Sequence, residues 1–400
     1  MRIRLIFMMF LEYALPGATL PVLSYYLMSR LEFTSFQASL IMAMSPLSAF
    51  IALPLATYLG DRYLTAERLL AVCHLVAAVF MGVLVFTTSF TGFVVLYFCY
   101  SLAFVPTMAL TNTVAFHHVP NSRRDFGGIR MWGTIGWVVV AWAFGYLWLG
   151  SGEGRSEHLY HALVLSAVGS LVLGVYALTL PRSSVNPSAD ATLIPRRALR
   201  LFLKPSLMLL GALTILNTLT HQFYYFGMGP YLSDIGFKDA HIMPSMSLGQ
   251  TTEIVFIGFV GPMLARFGFK PILILSILAN IFRFSAFAVG GPAWLTLLGL
   301  SMHGICYAYF FTSGFIYVNE HADPRARAGA QQIYHLLMGG FGTLSGFLTA
   351  GLTAKLLTDP ATGTIAYGAY WMVPLGISAI ILAAIAFFWR EEPAHSASTA

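Results

Sequence analysis

Four ionisable residues, Glu12, Arg130, Glu253 and Arg283, stand inside long apolar runs. Hydrocarbon excludes a charge unless it faces protein or water, so all four are expected to point inward, either as static ion-pair partners or as groups handling a solute or a proton. The run R-M-W-G-T-I-G-W places Arg130, Thr134 and Trp137 at i, i+4 and i+7, on one helical face. That face offers a guanidinium fork, a hydroxyl and an aromatic plane, a set suited to a polar solute with a flat ring. Gln250 and Glu253, three residues apart, share a face as well, and an amide beside a carboxylate can grip sugar hydroxyls or base edges. Sugars, nucleosides and amino acids all present such groups, so these pairs define a polar-solute site without naming the solute.

The run T-H-Q-F-Y-Y-F-G adds Gln222 and Tyr225 as cavity-lining candidates, with Tyr224 read as packing. His221, His303 and His335 are each either titrating groups or neutral hydrogen-bonded helix residues; His303 stands out because Tyr307 follows at i+4 in H-G-I-C-Y. Glu253 is the first candidate for a coupling proton, since burial raises a carboxyl pKa while Arg130 or Arg283 nearby would lower it. Glu12 and His303 are the other proton candidates. Arg283 is equally readable as a charge-pair partner. In G-D-R-Y-L-T-A-E-R, residues 60–68, Asp61, Arg62 and Arg68 flank helix ends, where they either pair across helices and terminal dipoles as a gate or simply signal topology. Cys73, Cys99 and Cys306 lie in apolar runs with no metal-like spacing, so neither a metal site nor a disulfide framework is expected.

The elements that must position these groups follow from composition. Of 400 residues 58% are hydrophobic and 10% charged, against roughly 25% charged in soluble chains, so lipid must solvate most of the surface. Apolar runs near the length of a bilayer core fall at 5–28, 37–59, 67–89, 92–117, 127–149 and 159–180, then at 205–231, 243–265, 271–290, 293–318, 328–353 and 367–389. The first begins almost at Met1 without a small-residue cleavage site and is expected to be retained. The Pro- and Arg-rich stretch 181–204 separates the groups. The expected architecture is an all-α integral membrane protein of twelve transmembrane helices: a six-helix half over 1–180, a cytoplasmic linker over 181–204, a second half over 205–390 and a short cytoplasmic tail over 391–400.

With the N-terminus in the cytoplasm, sixteen Lys and Arg residues fall on its side and four on the other, leaving Arg130 and Arg283 in the spans. That positive-inside bias puts both termini and the linker in the cytoplasm. The net charge of +6 reflects this topology, with no basic amphipathic surface or aromatic platform for nucleic acid. No phosphate loop, dinucleotide fingerprint or nucleophile–base set is evident, so an enzyme is not expected.

The residues at 129–137 (I-R-M-W-G-T-I-G-W), 250–253 (Q-T-T-E), 280–288 (N-I-F-R-F-S-A-F-A) and 326–331 (A-R-A-G-A-Q), with G-D-R at 60–62, run through nearly the whole chain. On them the sequence resembles the nucleoside:proton symporter family of the major facilitator superfamily. The resemblance implies the major facilitator fold, two halves rocking about a central site, proton-coupled nucleoside import by alternating access, and a bacterial inner-membrane location. It implies nucleoside contacts for Arg130, Thr134, Gln222, Gln250 and Glu253, with Trp137 in place of a family phenylalanine and Tyr225 in place of an asparagine. His303 and Tyr307 replace a tyrosine and a phenylalanine, and Ala308 stands where an acid is expected. No cofactor is implied beyond the coupling proton. The expected partners are a nucleoside and membrane lipid, and a single chain supplies both halves, so a functional monomer is expected. The alternatives are a carrier of another glycoside or modified purine and a non-transporting membrane receptor.

Overall fold

The computed structural model describes residues 1–119, 122–150, 158–181, 196–322 and 327–391. Most of the 181–204 linker, part of the 326–331 stretch and nearly all of the 391–400 tail lie outside the described residues. Those described are helical, with no sheet beyond one isolated bridge between Thr358 and Ile365. Six long helices come first: α1 (Arg2–Ser29), α2 (Ser35–Arg62), α3 (Ala66–Leu84), α4 (Phe90–His118), α5 (Phe126–Leu149) and α6 (His161–Leu178). After a short helix, Arg196–Leu201, come α7 (Pro205–Asp234), α8 (Asp239–Phe267), α9 (Phe269–Val289), α10 (Ala293–His321), α11 (Gly329–Leu356) and α12 (Tyr367–Phe388).

Among the described residues eleven of these helices are both long and apolar enough to cross a bilayer. The twelfth, α7, is 30 residues long, but Asn217, Thr218, Thr220 and Gln222 occupy its middle. All four are buried: the helix trades apolar character for polar groups turned into protein, as intramembrane polar residues must be.

Local chemistry fixes the helix ends. Thr34 caps α2 by accepting from the Gln37 backbone N–H while the Gln37 side chain accepts from that of Thr34, a reciprocal arrangement that satisfies two otherwise orphaned donors. Gly290, at φ 61°, closes α9 in the left-handed conformation, which glycine adopts without steric cost. Pro106 divides α4 into helices Phe90–Phe104 and Thr107–His118. Among the described residues three stretches widen to π-helical geometry: Ala143–Leu149 at the end of α5, Ala308–Thr312 in α10 and Leu336–Gly342 in α11.

The chain divides into two compact units, Met1–Ala191 with Tyr225–Ser247, and Thr192–Tyr224 with Leu248–Ala400. In the first, Leu5, Met8 and Met9 of α1 pack with Leu69 and Leu70 of α3, Val114 of α4, Ile129 of α5 and Leu173 of α6. The same unit ties the ends of α1 and α5 to the 225–247 segment: Tyr25 donates to Asp239 Oδ1 at 3.0 Å and accepts from Ser233 at 3.1 Å, while Trp142 Nε1 donates to Ser247 at 2.8 Å. In the second unit, Leu207, Leu210 and Leu213 of α7 meet Leu273 and Ile277 of α9, Phe310 and Phe311 of α10, Tyr334 of α11 and Ile381 of α12. Ile51, Leu55 and Val79 in the first unit and Phe259, Ile380 and Phe387 in the second are exposed, apolar surface suited to lipid.

Candidate functional site

In the first unit the site is built by the close approach of α1 and α5, which small residues permit. A side chain at Gly136 would collide with the Phe10 carbonyl, and a Cβ at Gly133 would come within 2.6 Å of the Tyr13 ring. Gly17 of α1 leaves space for Trp137, whose Cα lies 2.9 Å from where a Cβ would stand. The Arg130 guanidinium carbon sits 3.9 Å from the centroid of the Tyr13 ring, an arrangement that holds the cation without consuming its hydrogen-bond donors. Arg130, Thr134 and Trp137 are each partly accessible. Trp137 meets Tyr225 edge-on, ring centroids 6.4 Å apart, so the face that α5 offers is a cation, a hydroxyl and a two-ring aromatic wall.

In the second unit, α8 and α10 cross at a glycine. A Cβ on Gly304 would overlap Thr252 and the Glu253 backbone nitrogen, and a Cβ on Gly249 would come within 2.8 Å of His303 Cβ. Thr252 Oγ1 donates across this crossing to the Ser301 carbonyl at 2.7 Å. The turn carrying Gln250, which is buried, and Glu253, which is half-buried, is thereby clamped to His303. Gln222 of α7 is buried against Gly346 of α11, where a Cβ would stand 2.7 Å from its own.

Arg283 is fully buried, and its Nη1 donates to His303 Nδ1 at 3.1 Å. A guanidinium cannot accept, so His303 Nδ1 is the acceptor and its proton resides on Nε2. The guanidinium carbon also lies 4.7 Å from the Tyr224 ring centroid and 4.6 Å from that of Phe284. The His221 and Tyr224 rings lie tilted against His303, centroids 4.8 and 5.1 Å away, and Tyr307 lies nearly parallel to His303 at 6.1 Å. Tyr224, expected as packing, is a fully buried ring under a cation. Arg283, His303, His221, Tyr224 and Tyr307 thus form one polar aromatic cluster that the sequence presents as separate residues.

Glu12 lies in neither group. It is completely buried in the first unit, with Oε2 2.8 Å from His74 Nε2 and Oε1 2.6 Å from Thr107 Oγ1. His74 and Thr107 were not singled out from the sequence; a histidine and a threonine inside an apolar run were the signals available. At the 60–68 turn, Arg62 and Arg68 are exposed, and the Arg62 guanidinium carbon lies 5.0 Å from the Tyr58 ring centroid; the Asp61 side chain lies outside the described residues. His335 is exposed and packs at 4.5 Å on Phe315. The three cysteines are free, and among the described residues no three His, Cys, Asp or Glu side chains form a metal-sized cluster.

The family described as Nucleoside H+ symporter matches residues 1–394. The chain belongs to this family. It is 31% identical to the putative nucleoside transporter YegT of Escherichia coli K12 over 401 residues, covering 97% of this chain and 94% of that protein. It is also 31% identical to the xanthosine permease of the same organism over 409 residues, covering 96% and 94%. The crystal structure of the nucleoside transporter NupG superposes with a TM-score of 0.86 at 25% identity, covering 98% of this chain and 99% of that one. The symporter is therefore a multi-pass membrane transporter of the major facilitator fold, not an enzyme, and it performs proton-coupled nucleoside transport by alternating access.

Proposed function

We propose that this symporter imports nucleosides into a bacterial cell across the inner membrane, acting as a single chain with both termini in the cytoplasm. The observation that carries the site assignment is the α5 face, where Arg130, held on Tyr13, stands with Thr134 and the Trp137–Tyr225 wall. A fork of donors suits ribose hydroxyls and base carbonyls, and an aromatic wall suits the base plane. In the second unit Gln222, Gln250, Glu253, His303 and Tyr307 are the proposed nucleoside contacts; the amide and carboxylate supply the acceptors that ribose hydroxyls need. The functional halves are 1–180 and 205–390, joined by the 181–204 linker, and the sixteen-to-four distribution of Lys and Arg supports the orientation. Glu253 and His303 remain proton candidates alongside Glu12, and Asp61, Arg62 and Arg68 are proposed to bias the cytoplasmic gate.

A narrower reading, a preference for purine nucleosides, is favoured by the likeness to a xanthosine permease; the rings of Trp137, Tyr225, His303 and Tyr307 can stack on either class of base. Counterflow in proteoliposomes tests both levels. Intact nucleosides should compete with labelled nucleoside, purine forms best, while free ribose and free bases compete weakly. Equal competition by free bases or free sugars would overturn the assignment to whole nucleosides.

A further inference from the structure

We propose that Glu12, held between His74 and Thr107, carries the coupling proton of this symporter on its Oε1 atom; the proposal rests on the proton-coupled reading above. Glu12, His74 and Thr107 each have 0% exposure and come from α1, α3 and α4. A carboxyl this deep in apolar protein survives only by hydrogen bonding, by pairing or by holding a proton.

The hydrogen-bond geometry decides which group changes state. His74 Nδ1 is buried, with no hydrogen-bond partner among the described residues. An imidazolium would leave a donor stranded there, whereas the neutral ring with its proton on Nε2 donates to Glu12 Oε2 and leaves only an unfilled lone pair. In that tautomer His74 is a donor to Glu12. Thr107 Oγ1 has one hydrogen but lies 2.6 Å from Glu12 Oε1 and 2.6 Å from the Phe104 carbonyl oxygen. Protonated Glu12 gives each short contact its own hydrogen, Oε1–H donating to Oγ1 and Oγ1–H to the carbonyl; with Glu12 ionised, the one hydroxyl hydrogen is shared between two acceptors. Ionised Glu12 draws the hydroxyl hydrogen toward the carboxylate and weakens its bond to the carbonyl. The Phe104 carbonyl belongs to the last residue before the Val105–Pro106 break in α4, so the proton on Glu12 sets the bonding of that break.

Among the described residues, Cys73 on α3 and Tyr100 on α4 are further titratable groups within electrostatic range of Glu12. From α6 the Ser166 hydroxyl stands against Tyr100. Arg130 of α5 is held by Tyr13, the next residue along α1. Any displacement of α1 when Glu12 gains or loses its proton is thus carried to the cation proposed to hold substrate. The chemistry is one O–H bond formed with a proton from one aqueous side and broken by release to the other. Full burial keeps that proton from leaking between turnovers in the conformation seen here.

The test uses purified full-length wild type and Glu12→Gln in proteoliposomes, reading nucleoside counterflow without a gradient, gradient-driven accumulation, and proton influx reported by a trapped pH dye. If wild type shows no gradient-driven accumulation, the symport reading fails and the proposal falls with it, a result separable from failure of Glu12 alone. With wild-type coupling present, Glu12→Gln should keep counterflow within about threefold and lose accumulation and proton influx; accumulation at the wild-type level would overturn the proposal. Should Glu12→Gln not fold, Thr107→Val and Thr107→Ser decide. The pH profile of wild-type-like uptake should move in Thr107→Val and return in Thr107→Ser, and an unmoved profile in Thr107→Val would overturn the proposal.

Discussion

The Arg130 guanidinium lies over the ring of Tyr13, 3.9 Å from its centroid, and Tyr13 follows directly on the buried Glu12 in α1. One turn of one helix therefore carries a buried acid on one side and the seat of a proposed substrate cation on the other. The cation–π contact leaves the guanidinium donors available for a ligand while restricting where they point.

Replacing Tyr13 should disturb nucleoside recognition without removing any ligand-contacting group. Tyr13→Leu is expected to weaken half-saturation in counterflow by about three- to tenfold, the effect of losing roughly 1 kcal/mol of positioning. Tyr13→Phe keeps the ring and should lie within about twofold of wild type. Identical behaviour of the two variants would show that the ring does not position Arg130.

Trp137 should act through its aromatic plane. Trp137→Phe is expected to retain most affinity, while Trp137→Ala should lose about 1–3 kcal/mol of stacking, measured as a rise in the half-saturation of counterflow. A Trp137→Ala carrier with unchanged half-saturation would remove the tryptophan from the site.

Much of this arrangement was legible beforehand, because helical periodicity reports which residues of one helix share a face. Periodicity puts Arg130, Thr134 and Trp137 on one face of α5, and charge within an apolar run marks Glu12 and Arg283, both of which are fully buried. Periodicity says nothing about which helices meet. His74 lies 62 residues from Glu12 and Thr107 lies 95 residues away, so their convergence needed the packing of α1, α3 and α4. The donation from Arg283 to His303 and the role of Tyr13 were invisible for the same reason. The π-helical stretches leave no pattern that an apolar run displays, and the polar middle of α7, which looks like a weak span, is explained only by its burial.

Gly136 should tolerate no side chain. A Cβ there would strike the Phe10 carbonyl, which is backbone and cannot swing aside. Gly136→Ala is expected to cost about 1–3 kcal/mol or more through forced separation of α1 and α5, read as a lowered apparent unfolding midpoint in detergent. Gly82, with nothing within 4 Å of its Cβ position, is the control, and Gly82→Ala should unfold with the wild type. Equal midpoints for both variants would contradict the close packing.

The Arg283–His303 contact makes a separate stability prediction. His303→Ala removes an acceptor from a buried guanidinium, a loss of about 1.5–3 kcal/mol for a hydrogen bond to a charged group. His303→Gln offers a replacement acceptor and should recover at least half of the fall in unfolding midpoint. No difference between the two variants would mean that the hydrogen bond contributes nothing and that only ring packing matters there.

The central claim, proton-coupled nucleoside transport, is tested most directly by labelled nucleoside uptake into sealed proteoliposomes of the wild-type chain, with and without an inward proton gradient. The account predicts accumulation above the external concentration when the gradient is imposed, collapse to equilibration when a protonophore dissipates it, and matching proton influx on nucleoside addition. Equilibration at the same level with or without the gradient, from folded protein that binds nucleoside, would contradict it.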